Sequence, residues 1–266
     1  MINYTEIAIE KFCNNVDSVF ISLENKNEDV MSVVKQMGRI AFSCYSRSDS
    51  LYFSLEHAVK SGNIGLELIY AINSKTGIVR NGTIINLMAS ILFCNVGIVK
   101  GILSGDKIGR YLVNDSEHVK TSDNGTGSEL WPYRVFRSKK FLKDCSYLSA
   151  ELNDEIVDDS IEYSDLFDNG CNNKKHYGLV QQYCRAVQFI TLMSADNYRR
   201  AITELFYSAQ EGKVLDSELY NSLGEFRNKF PQYFWNTLFP DIAETVIVLR
   251  ETDRGRDIVS NIYAHL

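Results

Sequence analysis

The sequence predicts a single all-α domain. Three observations carry that expectation. Apolar residues return at spacings of three and four through most of the chain, period-two alternation is scarce, and only three prolines interrupt 266 residues. Length permits it: surface scaling gives a folded area of roughly 11,800 Å² against about 43,900 Å² unfolded, so a core forms without staples. A composition of 45% hydrophobic and 23% charged residues excludes a disordered, collagen-like or low-complexity chain.

The elements follow in order. Val30, Val33, Val34, Met37, Ile40 and Ala41 lay one apolar stripe on a helix over 28–44. Leu51, Leu55, Ala58 and Val59, then Leu66 and Ile69, continue the pattern in a second helix. The apolar stretch 83–103 approaches the length of a membrane span, but it carries Asn86, Asn95, Lys100, Gly97 and Gly101. It reads as a buried helix that breaks near Gly97. Polar segments 73–77 and 122–127 punctuate the chain. Over 104–132, Gly105, Gly109, Asp115, Asp123, Gly125 and Gly127 surround a β-leaning Tyr111-Leu112-Val113, which predicts a long loop or small hairpin excursion. Helices resume over 133–152, 178–193, 196–209, 216–226, 233–249 (broken by Pro240) and 253–264. No repeat or linker divides 1–266.

Lysine plus arginine number 28 against 34 aspartates plus glutamates, a net charge of −6. This argues against nucleic-acid and membrane partners, which need a basic face. The six cysteines lie far apart without a C-x-x-C pair, and the start, Met1-Ile2-Asn3-Tyr4-Thr5-Glu6, has no secretory pattern. A reduced, cytoplasmic protein is expected. Phosphate-loop, zinc-helix and nucleophile-elbow motifs are missing, and Gly125-Thr126-Gly127 reads as a turn. Of four histidines, His118, His176 and His265 read as surface or loop residues. His57 lies inside an amphipathic helix, where it is either a satisfied core histidine or a functional one.

Leu51-Tyr52-Phe53-Ser54-Leu55-Glu56-His57-Ala58-Val59, followed by Ile91-Leu92-Phe93-Cys94-Asn95-Val96-Gly97-Ile98-Val99-Lys100-Gly101, resembles a bacterial branch of the HD-domain metal-dependent phosphohydrolases, relatives of the cyclic-nucleotide phosphodiesterases. The likeness continues through Gly105-Asp106, Trp131-Pro132-Tyr133, Arg137, Lys140-Phe141 and Arg185-Ala186. It then reaches 230–236 and 260–265 and covers roughly 50–266. The resemblance implies an HD-like helical domain with a divalent metal held by two histidines and two aspartates. Only His57 matches. Cys94 and Asn95 stand in place of the His-Asp pair, Gln188 in place of the last aspartate, Phe53 in place of the histidine that protonates the leaving group, and Arg134 in place of a further histidine.

Asn95 and Gln188 offer neutral amide oxygens where a hard cation wants carboxylates, so the resemblance with these substitutions implies no metal cofactor and no family hydrolysis. The expectation is a degenerate HD-domain protein whose cavity binds a small anionic or aromatic ligand or a protein partner. Its contact residues would be Phe53, His57, Cys94, Asn95, Lys100, Arg134, Arg137 and Gln188. Two alternatives stay open. A metal-independent enzyme would reuse the cavity with His57 as acid or base, helped by Glu56 or Cys94. An active metallohydrolase would draw rearranged ligands from Asp106, His118, Asp158, Asp159, His176 and Asp196. The amphipathic terminal helices, such as 233–249, would allow a homodimer.

Overall fold

The computed structural model describes residues 3–23, 27–167, 177–216 and 220–265. Capping side chains set where many of its helices begin. Asn3 accepts from Thr5 and Glu6 amides to start α1 (Tyr4–Ser22), and Asn27 starts α2 (Glu28–Tyr45) in the same way. Ser54 Oγ accepts from the His57 amide at the head of α3 (Leu55–Thr76), which Gly77 ends in the left-handed region at φ 78°. The fourth helix, α4 (Asn81–Phe93), is apolar on every side, and Ile84 through Phe93 are all buried. It sits in the middle of the bundle, against α2 and α3 and against α8 (Leu179–Met193), which is itself buried from Cys184 to Met193.

The apolar stretch that reached membrane length, Asn81–Ile98, is 83% buried among these helices. Its α-helix stops at Phe93, and a 3₁₀ turn follows at Val96–Ile98. Gly97 is required there. A Cβ would lie 2.4 Å from Arg134 O and 2.8 Å from Ser138 N, because this turn docks backbone to backbone on α5 (Arg134–Asp144).

The excursion over 104–132 forms a two-stranded antiparallel hairpin, β1 (Arg110–Leu112) with β2 (His118–Lys120), Tyr111 facing Val119. The helix expected over 133–152 divides: Cys145 leaves helical geometry at ψ 80°, so α5 is followed by the short α6 (Ser146–Ser149). Next comes α7 (Asp154–Tyr163), an element the periodicity left unassigned although Asn153 caps it and Asp154 and Glu155 fill its first turn. After α8, the helix α9 (Tyr198–Glu211) matches the expectation for 196–209. The expected 216–226 helix is displaced. Its counterpart α10 (Leu223–Tyr233) starts only after the Ser222 cap.

Pro240 does not break the following helix. A π turn at Phe234–Leu238 widens the chain before it, and the proline falls in the first turn of α11 (Phe239–Leu249). The wider turn makes room for a ring that supplies no amide hydrogen to the preceding carbonyls. Thr252 then caps α12 (Asp253–Tyr263). The chain is thus an all-α domain, and among the described residues the six in strands belong to one hairpin.

Candidate functional site

His57 lies in the first turn of α3, 8% exposed, with its ring 4.7 Å from that of Tyr52 and 5.6 Å from that of Phe53. Phe53 in turn packs edge-on against Trp131 at 4.6 Å and is buried in the core. Burial disfavours the charged imidazole and pulls its pKa down to about 4. Contact with Gln188 works upward, and the Lys60 charge downward. His57 is therefore neutral at pH 7.

Gln188, on α8, reaches the chain end of α4 from its other side. Asn95 Nδ2 donates to Gln188 Oε1 at 2.8 Å. His57, Gln188, Asn95 and the adjacent Cys94 are thus joined in sequence across three helices. The Cys94 thiol donates to Ile91 O at 3.5 Å, and Cys94 is fully buried. Arg134 closes this centre. Its guanidinium, 1% exposed, donates to Cys94 O at 2.7 Å, Ser164 Oγ at 3.0 Å, Ile161 O at 3.2 Å and, more weakly, Asn95 Oδ1 at 3.4 Å, and it pairs with Asp165 at 3.2 Å.

These side chains do not fit a divalent cation. The amide oxygens of Asn95 and Gln188 are already engaged, and a permanent positive charge is hydrogen-bonded to one of them. Among the described residues, no three His, Cys, Asp or Glu are grouped to share an ion.

The remaining basic candidates are committed to the fold. Arg137, with no exposed side-chain surface, makes two parallel bonds to Asp106, at 2.9 and 2.8 Å. It also donates to the carbonyls of Gly97 (2.6 Å), Leu112 (2.7 Å) and Val99 (3.1 Å). All of its donor directions serve to tie the hairpin excursion and the 3₁₀ turn to α5. Lys100 bonds Asp49 at 3.0 Å and the Gly125 carbonyl. Lys139 pairs with Glu162, and Lys140 with Asp144. His118 Nε2 bonds Gly105 O at 2.9 Å, and Asp158 pairs with Lys143 at 3.2 Å. His176 lies outside the described residues.

Open space is found on the far side of His57. A cleft of about 470 Å³ runs between α3, the end of α8, the 194–197 connection, α9 and α12. Tyr52 and His57 border it, whereas Phe53, Cys94, Asn95 and Gln188 do not. Its charged walls come from Glu56, Lys60, Asp196, Glu204 and Arg254. Lys60 Nζ donates to Ser194 O at 2.9 Å; burial lowers the lysine pKa, against the raising charges of Asp196 and Glu56. Glu56 itself is 68% exposed and faces Arg200 at 3.9 Å, which is also bonded to Glu204 at 2.6 Å.

Sequence reasoning placed Glu56 and His57 at the site but missed Lys60, Glu204 and Arg254. One signal was available for Lys60: Glu56, Lys60 and Asn63 recur at helical spacing and so share a polar face of α3. Nothing local marks Glu204 or Arg254, which come from helices distant in the chain.

Compared with protein-family models, the chain matches the Npun_R2479-like family over residues 2–266 and belongs to that family. Searches of curated proteins and of solved structures give no match.

Proposed function

We propose that this Npun_R2479-like chain is a metal-independent binding protein, a degenerate relative of the HD-domain phosphohydrolases, that takes a small polar ligand into the cleft beside His57. The observation that carries this reading is the way the centre is filled. Where the resemblance implies a metal, Asn95 and Gln188 bond each other and Arg134 supplies the positive charge from inside the protein. The cleft on the other face of His57 keeps charged walls and is the space in which a ligand contacts the same histidine.

A metal-independent enzyme is less well supported. His57 is neutral and could accept a proton, but Glu56 turns to Arg200 instead of orienting the imidazole. The cysteines Cys13, Cys44, Cys94, Cys145 and Cys184 are free, which suits a reducing, cytoplasmic setting.

The test is hydrolysis and metal content measured on the purified chain. No turnover of cyclic nucleotides or phosphomonoesters above background is expected with added Mn²⁺ or Mg²⁺, and no stoichiometric metal. Hydrolysis abolished both by chelation and by His57→Ala would overturn the reading.

A further inference from the structure

One face of the hairpin formed by β1 and β2 carries a row of cations. Residues directly opposite one another on antiparallel segments share a face, with Cβ atoms about 5 Å apart. Arg110 lies opposite Lys120 in the ladder and opposite Lys107 across the turn, so three basic side chains stand in a line spanning about 10 Å. All three are exposed, and among the described residues none has a side-chain hydrogen bond or an ion pair. Like charges directly opposite weaken a strand pair, so the row does not serve to hold the hairpin together. The exposed acids close in the chain are Asp115 and Glu117, at the opposite end of the hairpin, and Asp123, beyond β2.

The row leads to an apolar tip. Ile108 and Gly109 form a two-residue turn, closed by Lys107 N donating to Arg110 O at 2.8 Å and Arg110 N donating to Lys107 O at 2.9 Å. Ile108 is as open as in an unfolded chain, whereas Tyr4, the next most exposed large apolar residue among those described, is 75% exposed. The base behind the tip is fixed. Asp106, directly before Lys107, accepts from the amides of Leu103 and Leu112 and from both terminal nitrogens of the buried Arg137, and Tyr111 is buried with the Arg137 guanidinium 5.9 Å from its ring centre.

We propose that this hairpin docks the protein on an anionic lipid bilayer, Ile108 entering the headgroup layer while Lys107, Arg110 and Lys120 meet the lipid phosphates and carboxylates. The inference is independent of the cleft beside His57. A net charge of −6 argues against such a partner only as an average over the chain. Charges more than about 8 Å from the contact are largely screened at physiological salt, whereas cations that touch the surface act at full strength. A bilayer takes both features of the hairpin at once, apolar tip and cation row; a nucleic-acid backbone uses only the cations. Two strands of three residues offer far less area than a stable protein interface needs. Because the base is already held by Arg137, docking orders little of the chain.

The test is flotation of the full chain with vesicles of phosphatidylcholine alone, and of phosphatidylcholine and phosphatidylserine in equal parts. The wild type is expected to bind the mixed vesicles at least about tenfold more tightly, and raising NaCl from about 0.1 M to about 0.5 M should release it. Lys107→Glu, Arg110→Glu and Lys120→Glu together should weaken binding about 100-fold, and Ile108→Ser about tenfold. All four positions are exposed, so the circular dichroism spectrum and urea midpoint should stay unchanged. Ile108→Trp should bind at least as well as the wild type, and the added indole emission should shift to the blue with mixed vesicles. Failure to bind mixed vesicles, equal binding to both vesicle types, or binding that survives the triple charge reversal would overturn the inference. So would tighter binding of the row to single-stranded RNA or to polyglutamate than to vesicles, which would assign the hairpin to another class of partner.

Discussion

The two sides of His57 contrast in how they treat charge. Toward α4 and α8, most polar atoms bond one another, amide to amide between Asn95 and Gln188 and guanidinium to carbonyls and Asp165 around Arg134, with Gln188 Nε2 and Arg134 Nε left without partners among the described residues. Toward α9 and α12, Lys60, Glu56 and Arg254 line open space, Lys60 with one bond to Ser194 O and Glu56 beside Arg200. A polar group deep in a bundle draws most of its partners from the fold, because desolvation without a partner is costly. A polar group on a cleft can leave part of its bonding to a ligand. The difference separates structural basic residues from available ones, although as residue types they are alike.

The strongest way to break that contrast is to remove a partner on the closed side. Arg137→Leu should destabilise the chain by about 3–5 kcal/mol, because it leaves the buried Asp106 carboxylate without its cation. Urea unfolding at pH 7 measures this, and the double variant Asp106→Leu with Arg137→Leu should recover only the part due to the unpaired carboxylate, since the carbonyls of Gly97, Val99 and Leu112 still lack their donor. Burial alone would raise the Asp106 pKa, but the Arg137 bonds and charge, with the Leu112 and Leu103 amides, hold it below the ordinary carboxylate value. The wild-type contribution is therefore complete above the unfolded carboxyl pKa and is lost as pH falls through the lower folded value. A wild-type stability as low as that of Arg137→Leu would show the pair to be inert.

His57 lies between the two regions and tests the boundary by pH. Its folded pKa of about 4 lies below the ordinary 6.5, so between those values the unfolded chain binds a proton that the folded chain refuses. Stability should then be full above about pH 6.5 and fall toward pH 4 by roughly 3 kcal/mol, at about 1.4 kcal/mol per pKa unit. Unfolding measured from pH 7.5 to 4.5 should show this slope in the wild type, and His57→Phe should flatten it. An unchanged slope in the variant would place the titration elsewhere.

A smaller effect sharpens the picture at the centre. Asn95→Ala strands Gln188 Oε1 and should cost about 1–3 kcal/mol. Gln188→Leu added to it should cost less than the two single changes together, since both partners are then gone. Additive losses would mean that the amide pair is not the tie that holds α4 to α8.

Much of the architecture was legible in the sequence because helices are periodic objects. The stripe from Val30 to Ala41 identifies α2, the all-round apolar text of 84–93 identifies a central helix, and Gly97 marks its end. The N-terminal α1 was not assigned, since its buried Phe12, Cys13, Val16 and Phe20 share the helix with further apolar residues on other faces. Pro240 reads as a break in the text, yet in the structure it sits in the first turn of α11, directly after the π turn at Phe234–Leu238.

The sequence by itself determined an all-α chain with its main helices and His57 in an amphipathic one, because periodicity and capping act over a few residues. Only the tertiary structure decided what each polar residue does. Arg137 and Lys100 looked like anion contacts until Asp106 and Asp49 were placed against them, and Lys60 and Arg254 became neighbours only when α12 packed on α3. Those roles depend on which groups from distant segments share a few ångströms of low-dielectric space, a property carried by the packed bundle and not by any local stretch of sequence.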